Sequence, residues 1–327
     1  MSFRSEEVLM NNISESQLKT FYIGFDLGVC RTTEFADILM DAVVDFAFGY
    51  HTGILKTYDR RKLIEAAKSI YKIDSFNDVK WTYLDKDSVI DDTDLKAEDK
   101  IKKRGEFGEL ILHVLLRDYF NSVPLVSKIY FKDTDGFTVH GFDSVHIGPD
   151  LTDHKVPSLY LGESKIYYRK DGTAGKSGIA DLLEDIKTHF KCDFLKREFA
   201  LLAKKKYSFL PIEEYPDENT KTQYETFLSQ KQYWFDTFHK VSQGRYKLED
   251  ILKSVTIPII CTYQSQIFEK CAHDMHPDSE FNKLIGEIKT GEPVVTNLNV
   301  ILILFPIPSK KELIKVLHQK LYNQQNA

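Results

Sequence analysis

The longest apolar run in the chain, Val300-Ile-Leu-Ile-Leu-Phe-Pro306, offers no polar side to solvent and reads as a buried strand. It falls far short of the roughly 18 residues that cross a bilayer. A sheet in a globular core is therefore the expected setting. A second apolar stretch, Leu159-Tyr-Leu-Gly-Glu-Ser-Lys-Ile-Tyr-Tyr168, differs in one respect: it carries Glu163 and Lys165. Side chains two apart on a strand share a face, so a carboxylate and an ammonium stand side by side on an element of otherwise buried type.

Around these two runs the pattern alternates between strands and helices. Strands are expected at 19–26, 126–132, 137–147, 158–168, 254–263 and 297–306, with Asp135-Gly136 as a hairpin turn. Helical spacing of Phe35, Ile38, Leu39, Ala42, Val43 and Phe46 predicts one helix capped by Thr32 or Thr33. Further helices are expected at 60–71, 101–120, 279–289 and 309–322, and a long one follows the Gly-rich loop Asp171–Gly178. The stretch 85–99, with seven acids against two lysines, reads as a surface loop. Residues 211–250 are polar, aromatic and only weakly helical in pattern, with no chemical signal. The order helix, three strands, helix, strand predicts an α/β protein with a mixed central sheet flanked by helices. Residues 1–100 are expected to form a helical and strand region packed on a core at 101–327, the whole being one compact unit.

Composition narrows the function classes. The N-terminus lacks a signal pattern, and four scattered cysteines suggest free thiols in a reducing cytoplasm. A net charge of -5 argues against a generic nucleic-acid binder. Charge is unevenly spread, however: residues 163–206 hold eleven Lys and Arg against seven acids. Whole-chain charge therefore says little about a local groove.

Phosphodiester cleavage needs charge neutralisation on the phosphate, a deprotonated water and help for the leaving oxygen. One or two Mg²⁺ ions, or Mn²⁺, supply all three and prefer a few carboxylates plus waters. Asp143, within the segment Phe137–Ile147, and Glu163 suit that role if their strands are neighbours. The carbonyl of Ser164 offers a further oxygen, and Lys165 can orient water or offset phosphate charge. Glu106 and Glu109, three apart on the helix before the strands, share a face, and one of them could complete the metal shell.

This arrangement of helix acid, Asp143, Gly162-Glu-Ser-Lys165 and following helix resembles the PD-(D/E)xK nuclease superfamily. With Gly105-Glu-Phe-Gly-Glu-Leu-Ile-Leu-His113 and Gly141-Phe-Asp143, it is similar to the HamA subunit of Hachiman anti-phage systems. The resemblance implies a restriction-endonuclease-like core and a metal-dependent DNA nuclease. It implies as partners DNA and a helicase subunit of the HamB type, in a bacterial or archaeal cytoplasm with no membrane. It carries Asp143, Glu163 and Lys165 over as the catalytic trio, with Glu106 or Glu109 as the helix acid. Phe142, not proline, precedes Asp143, a departure from the superfamily's name; Pro149-Asp150 lies too near the hairpin's end to replace it.

Other features have plainer readings. Gly172-Thr-Ala-Gly-Lys-Ser177 has two residues between Gly and Gly-Lys where a phosphate loop needs four. As a basic lip, Arg169, Lys170 and Lys176 could touch DNA phosphates, or simply be exposed. Glu287-Ile-Lys289 falls in a helical pattern, so its two charges would not share a face. His273 and His276 beside Cys271 lack a fourth ligand, and Tyr167 or Tyr168 could stack a base. The rival function is a catalytically silent adaptor that docks a protein or DNA, and RNA is the alternative substrate.

Overall fold

The computed structural model describes residues 4–15, 17–50, 59–70, 105–127, 142–151, 157–168, 173–189, 195–196, 199–200, 218–270, 282 and 298–326. In chain order its elements are α1 (Ser5–Val8), β1 (Leu9–Ser14), β2 (Leu18–Ile23), β3 (Phe25–Asp26), β4 (Val29–Cys30), α2 (Thr32–Asp41), α3 (Val43–Phe48) and α4 (Arg60–Ile70). After these come α5 (Glu106–Tyr119), β5 (Val123–Val126), β6 (Ser144–Pro149), β7 (Pro157–Tyr167), α6 (Ala174–His189) and α7 (Glu218–Ser242). The last are α8 (Leu248–Ile251), β8 (Val255–Gln264), α9 (Ile267–Lys270), β9 (Asn299–Ile307) and α10 (Lys310–Gln325).

Seven strands form one mixed sheet in the order β1-β2-β9-β8-β7-β6-β5. The run β2, β9, β8, β7 is parallel, and β1, β6 and β5 add antiparallel edges. Period-2 alternation explains why the central strands are apolar throughout. Along β9, Ile301, Ile303, Phe305 and Ile307 pack with α2, α3, α4, α5 and α10, while Leu302 and Leu304 pack with α6, α7 and α8. Both faces are covered, as a parallel sheet requires. The expected helix, three strands and helix are α5, β5, β6, β7 and α6, whereas the next strand, β8, follows only after two further helices, α7 and α8.

Several expectations need correcting. The single helix at 35–46 is two, α2 and α3, broken at Ala42, whose N–H is shared among the carbonyls of Ile38, Leu39 and Met40. Neither Thr32 nor Thr33 caps it; the N-cap is Arg31 without a side-chain bond. Of the strand expected at 126–132 only residues 126 and 127 are described: β5 covers Val123–Val126, and Pro124 is tolerated because β5 is an edge of the described sheet. Residues 211–250 contain the 25-residue α7, which buries Tyr224, Phe227, Trp234, Phe235, Phe238 and Val241. The helix expected at 309–322 is α10, and Ser309 caps it by accepting the Glu312 N–H at 3.2 Å. The acidic stretch 85–99, the turn at 135–136, the Glu287 and Lys289 pair, and Cys271, His273 and His276 lie outside the described residues.

A chain of buried polar groups crosses the core under α5. Arg117 donates to Asp45 Oδ2 at 2.9 Å, and His113 Nε2 lies 3.0 Å from the same oxygen. His113 Nδ1 sits 3.1 Å from His146 Nε2, and His146 Nδ1 is 3.0 Å from Ser122 Oγ. The Ser122 hydroxyl donates to Leu116 O at 2.8 Å, so it accepts from His146 Nδ1–H. His146 then presents Nε2 as an acceptor to His113. Burial pushes the Asp45 carboxyl upward, but His113 and Arg117 more than offset this and hold it below the ordinary carboxylate range. Burial first, then the proximity of His113 and Arg117, lowers His146 well below its usual value.

Candidate active site

The site is built by the early end of one ladder. β6 pairs antiparallel with β7 from Ser144↔Gly162 to Pro149↔Pro157. One residue before it, Asp143 still donates its N–H to Gly162 O at 2.9 Å, and among the described residues the pairing goes no further. Peptide groups of alternate residues point to the same edge of a strand. The N–H and C=O of Ser164 therefore face the same side as those of Gly162, towards Asp143. The Asp143 carboxylate takes the N–H: its Oδ2 accepts from Ser164 N at 2.8 Å and from Ser164 Oγ at 2.8 Å.

Glu163 and Lys165 have the parity of Leu159 and Leu161, whose side chains pack on the α6 side of β7. They form an ion pair, Lys165 Nζ to Glu163 Oε1 at 3.1 Å, with side chains 34% and 12% exposed respectively. The Ser164 nitrogen belongs to the peptide that joins it to Glu163, so bond geometry keeps Asp143 Oδ2 within about 5 Å of the Glu163 Cα. The structure thus brings Asp143, Glu163, Ser164 and Lys165 to one stretch of β7.

Helix α5 crosses β7 at the same point on the other face. A Cβ added to Gly108 would stand 3.1 Å from Ile166 Cγ1 and 3.2 Å from Ser164 Oγ, so glycine here permits the close approach. Glu106 and Glu109 lie in that first turn, both half-buried. Among the described residues no three His, Cys, Asp or Glu side chains converge as a ready cage for an ion. The oxygens available along this stretch are the Asp143 carboxylate on Ser164, the Glu163 carboxylate beside Lys165, and the Ser164 carbonyl. These are hard oxygen ligands, and they suit Mg²⁺, which keeps several of its waters, better than a soft metal.

From Ala174 onward the Gly-rich segment expected as a loop is helical. Helix α6 begins at Ala174, and Gly178 lies inside it. A Cβ at Gly178 would fall 2.4 Å from Tyr167 Cδ2 and 2.5 Å from Cys261 Sγ. The glycine seats helix on sheet; it cradles no phosphate. Lys176 is exposed on the first turn of α6, and Arg169 and Lys170 lie outside the described residues. Tyr167 donates its hydroxyl to Asp181 Oδ2 at 2.8 Å, and Tyr168 is 47% exposed.

One nearby cation escaped the reading of the sequence. Lys310, at the start of α10, donates to Ile166 O at 3.0 Å from 144 residues away. Its backbone N–H is held by Gln264 Oε1 at 3.0 Å. No local pattern couples a helix start to a strand that distant, so only the parallel order β7-β8-β9 reveals it.

Comparison with curated proteins returns no match. A family model described as HamA matches residues 2–321, nearly the whole chain. With that coverage, the chain belongs to the HamA family, a component of Hachiman anti-phage defence.

Proposed function

We propose that this protein is a metal-dependent DNA nuclease of the PD-(D/E)xK type, the effector of its defence system, restrained by a helicase subunit. The observation that carries the reading is the Asp143 carboxylate seated on the Glu163–Ser164 peptide, beside the Glu163–Lys165 pair. The surrounding order α5, β5, β6, β7, α6, with β8 beside β7 in the sheet, supports it.

Asp143, Glu163 and the Ser164 carbonyl would hold the ion, with Glu106 or Glu109 reaching it through water. Bound Mg²⁺ or Mn²⁺ supplies phosphate neutralisation and an acidified water. Glu163 fixes the Lys165 ammonium, which stays a third exposed and so can face a substrate phosphate or orient the attacking water. Lys176, with Arg169 and Lys170, would contact the DNA backbone and position it without reading sequence.

Glu163→Ala should abolish metal-dependent DNA cleavage while the chain remains folded and still binds its partner. Undiminished cleavage by that variant sinks the reading. Restraint is tested by comparing the isolated chain with the helicase-bound assembly, where masking of the basic 163–206 stretch should slow cutting. Equal rates would exclude restraint. The adaptor reading rests on the lack of a preformed three-ligand cage among the described residues. Wild-type assembly that cuts no DNA with any divalent ion would favour it.

A further inference from the structure

We infer that Ser164 is a positioning residue that decides which oxygen of Asp143 meets the ion. The inference rests on the metal-centre reading above and names a role for the residue between the two charges of the Glu-x-Lys run. Asp143 sits one residue outside β6, at a bend, where no ladder fixes its side chain. Two donors from one residue hold it: the Ser164 N–H and the Ser164 hydroxyl, both at 2.8 Å and both on Oδ2. With Oδ2 committed twice, Oδ1 is the oxygen left for a cation.

The hydroxyl is itself placed by packing. Ser164 is 7% exposed, beneath Gly108 of α5, where an added Cβ would lie 3.2 Å from its Oγ. A side chain at 108 would push against the hydroxyl that orients Asp143. Gly108 and Ser164 thus link the seating of α5 to the aim of the Asp143 carboxylate. Groups that orient a metal ligand commonly matter 10- to 100-fold in affinity, roughly the effect expected here.

Binding of Mn²⁺ to the intact chain, followed by calorimetry and by the paramagnetic signal of the free ion, reads this out without any turnover. Ser164→Ala keeps the backbone donor and removes the hydroxyl, so it should weaken Mn²⁺ binding about 10-fold or more with thermal stability nearly unchanged. Ser164→Thr restores the hydroxyl and should recover most of the affinity. Gly108→Ala, which leaves every polar group in place, should weaken binding in the same direction, and it decides the matter if Ser164→Ala does not fold. Wild-type affinity in Ser164→Ala, or equal losses in the Ala and Thr variants, would overturn the role of the hydroxyl. Glu163→Ala separates the two levels: if wild type binds Mn²⁺ and Glu163→Ala binds it equally, the metal centre is elsewhere and both readings fall. If Glu163→Ala alone loses the ion, the centre stands and only the Ser164 role fails.

Discussion

Buried titratable groups couple this molecule to pH. His146, 2% exposed, is kept neutral by burial and by His113 and Arg117, so its value in the fold lies well below the ordinary 6.5. As pH falls through about 6.5 the unfolded chain takes up a proton that the folded chain refuses, which favours unfolding by up to about 1.4 kcal/mol per pH unit. Asp45 acts with the same sign in a lower window. Its carboxylate is favoured by the fold, and that stability is present above its ordinary 3.8 and lost as pH falls through its depressed value. Urea denaturation between pH 5 and 8 should show stability declining below about 6.5, and His146→Asn should flatten the decline. A flat wild-type profile over that range would contradict the account. None of this chain of contacts was legible locally: Asp45 and His113 are 68 residues apart, and each alone looks like an ordinary polar residue on a helix.

Elements here are positioned by small residues at crossings. Gly178 lets α6 lie against Tyr167 and Cys261, and an added methyl would fall inside contact distance of both. Gly178→Ala should therefore destabilise by roughly 1–3 kcal/mol through forced displacement of the helix. A lowered thermal midpoint checks this, and an unchanged midpoint would show that α6 shifts freely. That glycine of the Gly-rich segment therefore serves packing. Helix α7 left only a weak helical pattern in the sequence. Its buried Tyr224, Phe227, Trp234, Phe235 and Phe238 are interleaved with many polar residues, so the apolar stripe is diluted. Tyr50 stacks on Phe227 at 4.3 Å between ring centroids, a partner that periodicity along α7 alone could not supply.

At the scale of the whole molecule, the sheet joins both ends of the chain. β2 pairs in parallel with β9, Leu18↔Leu302 through Thr20↔Leu304, so an early strand covers a late one. Removing residues 1–23 would strip Val8, Leu9, Phe21 and Ile23 from the core and leave β9 as an apolar edge. Such an edge templates pairing with other chains. The truncated protein should aggregate in size-exclusion chromatography, whereas a soluble monomer would show that the N-terminal strands are dispensable. The described helices include none long and apolar enough to cross a membrane.

Strand identity at Ser158–Tyr168, Ser254–Tyr263 and Asn297–Pro306 was decided by the amino-acid order alone, because apolar runs of that length have few other stable fates. The pairing of Glu163 with Lys165 followed from period-2 alternation in the same way. The bend before β6 was not so encoded. It lets the Asp143 carboxylate reach the N–H and hydroxyl of Ser164. Such a meeting depends on register between strands, on a glycine-thin helix crossing and on the neighbour order of β7, β8 and β9. Those are relations between distant segments, and only the folded chain brings them into one place.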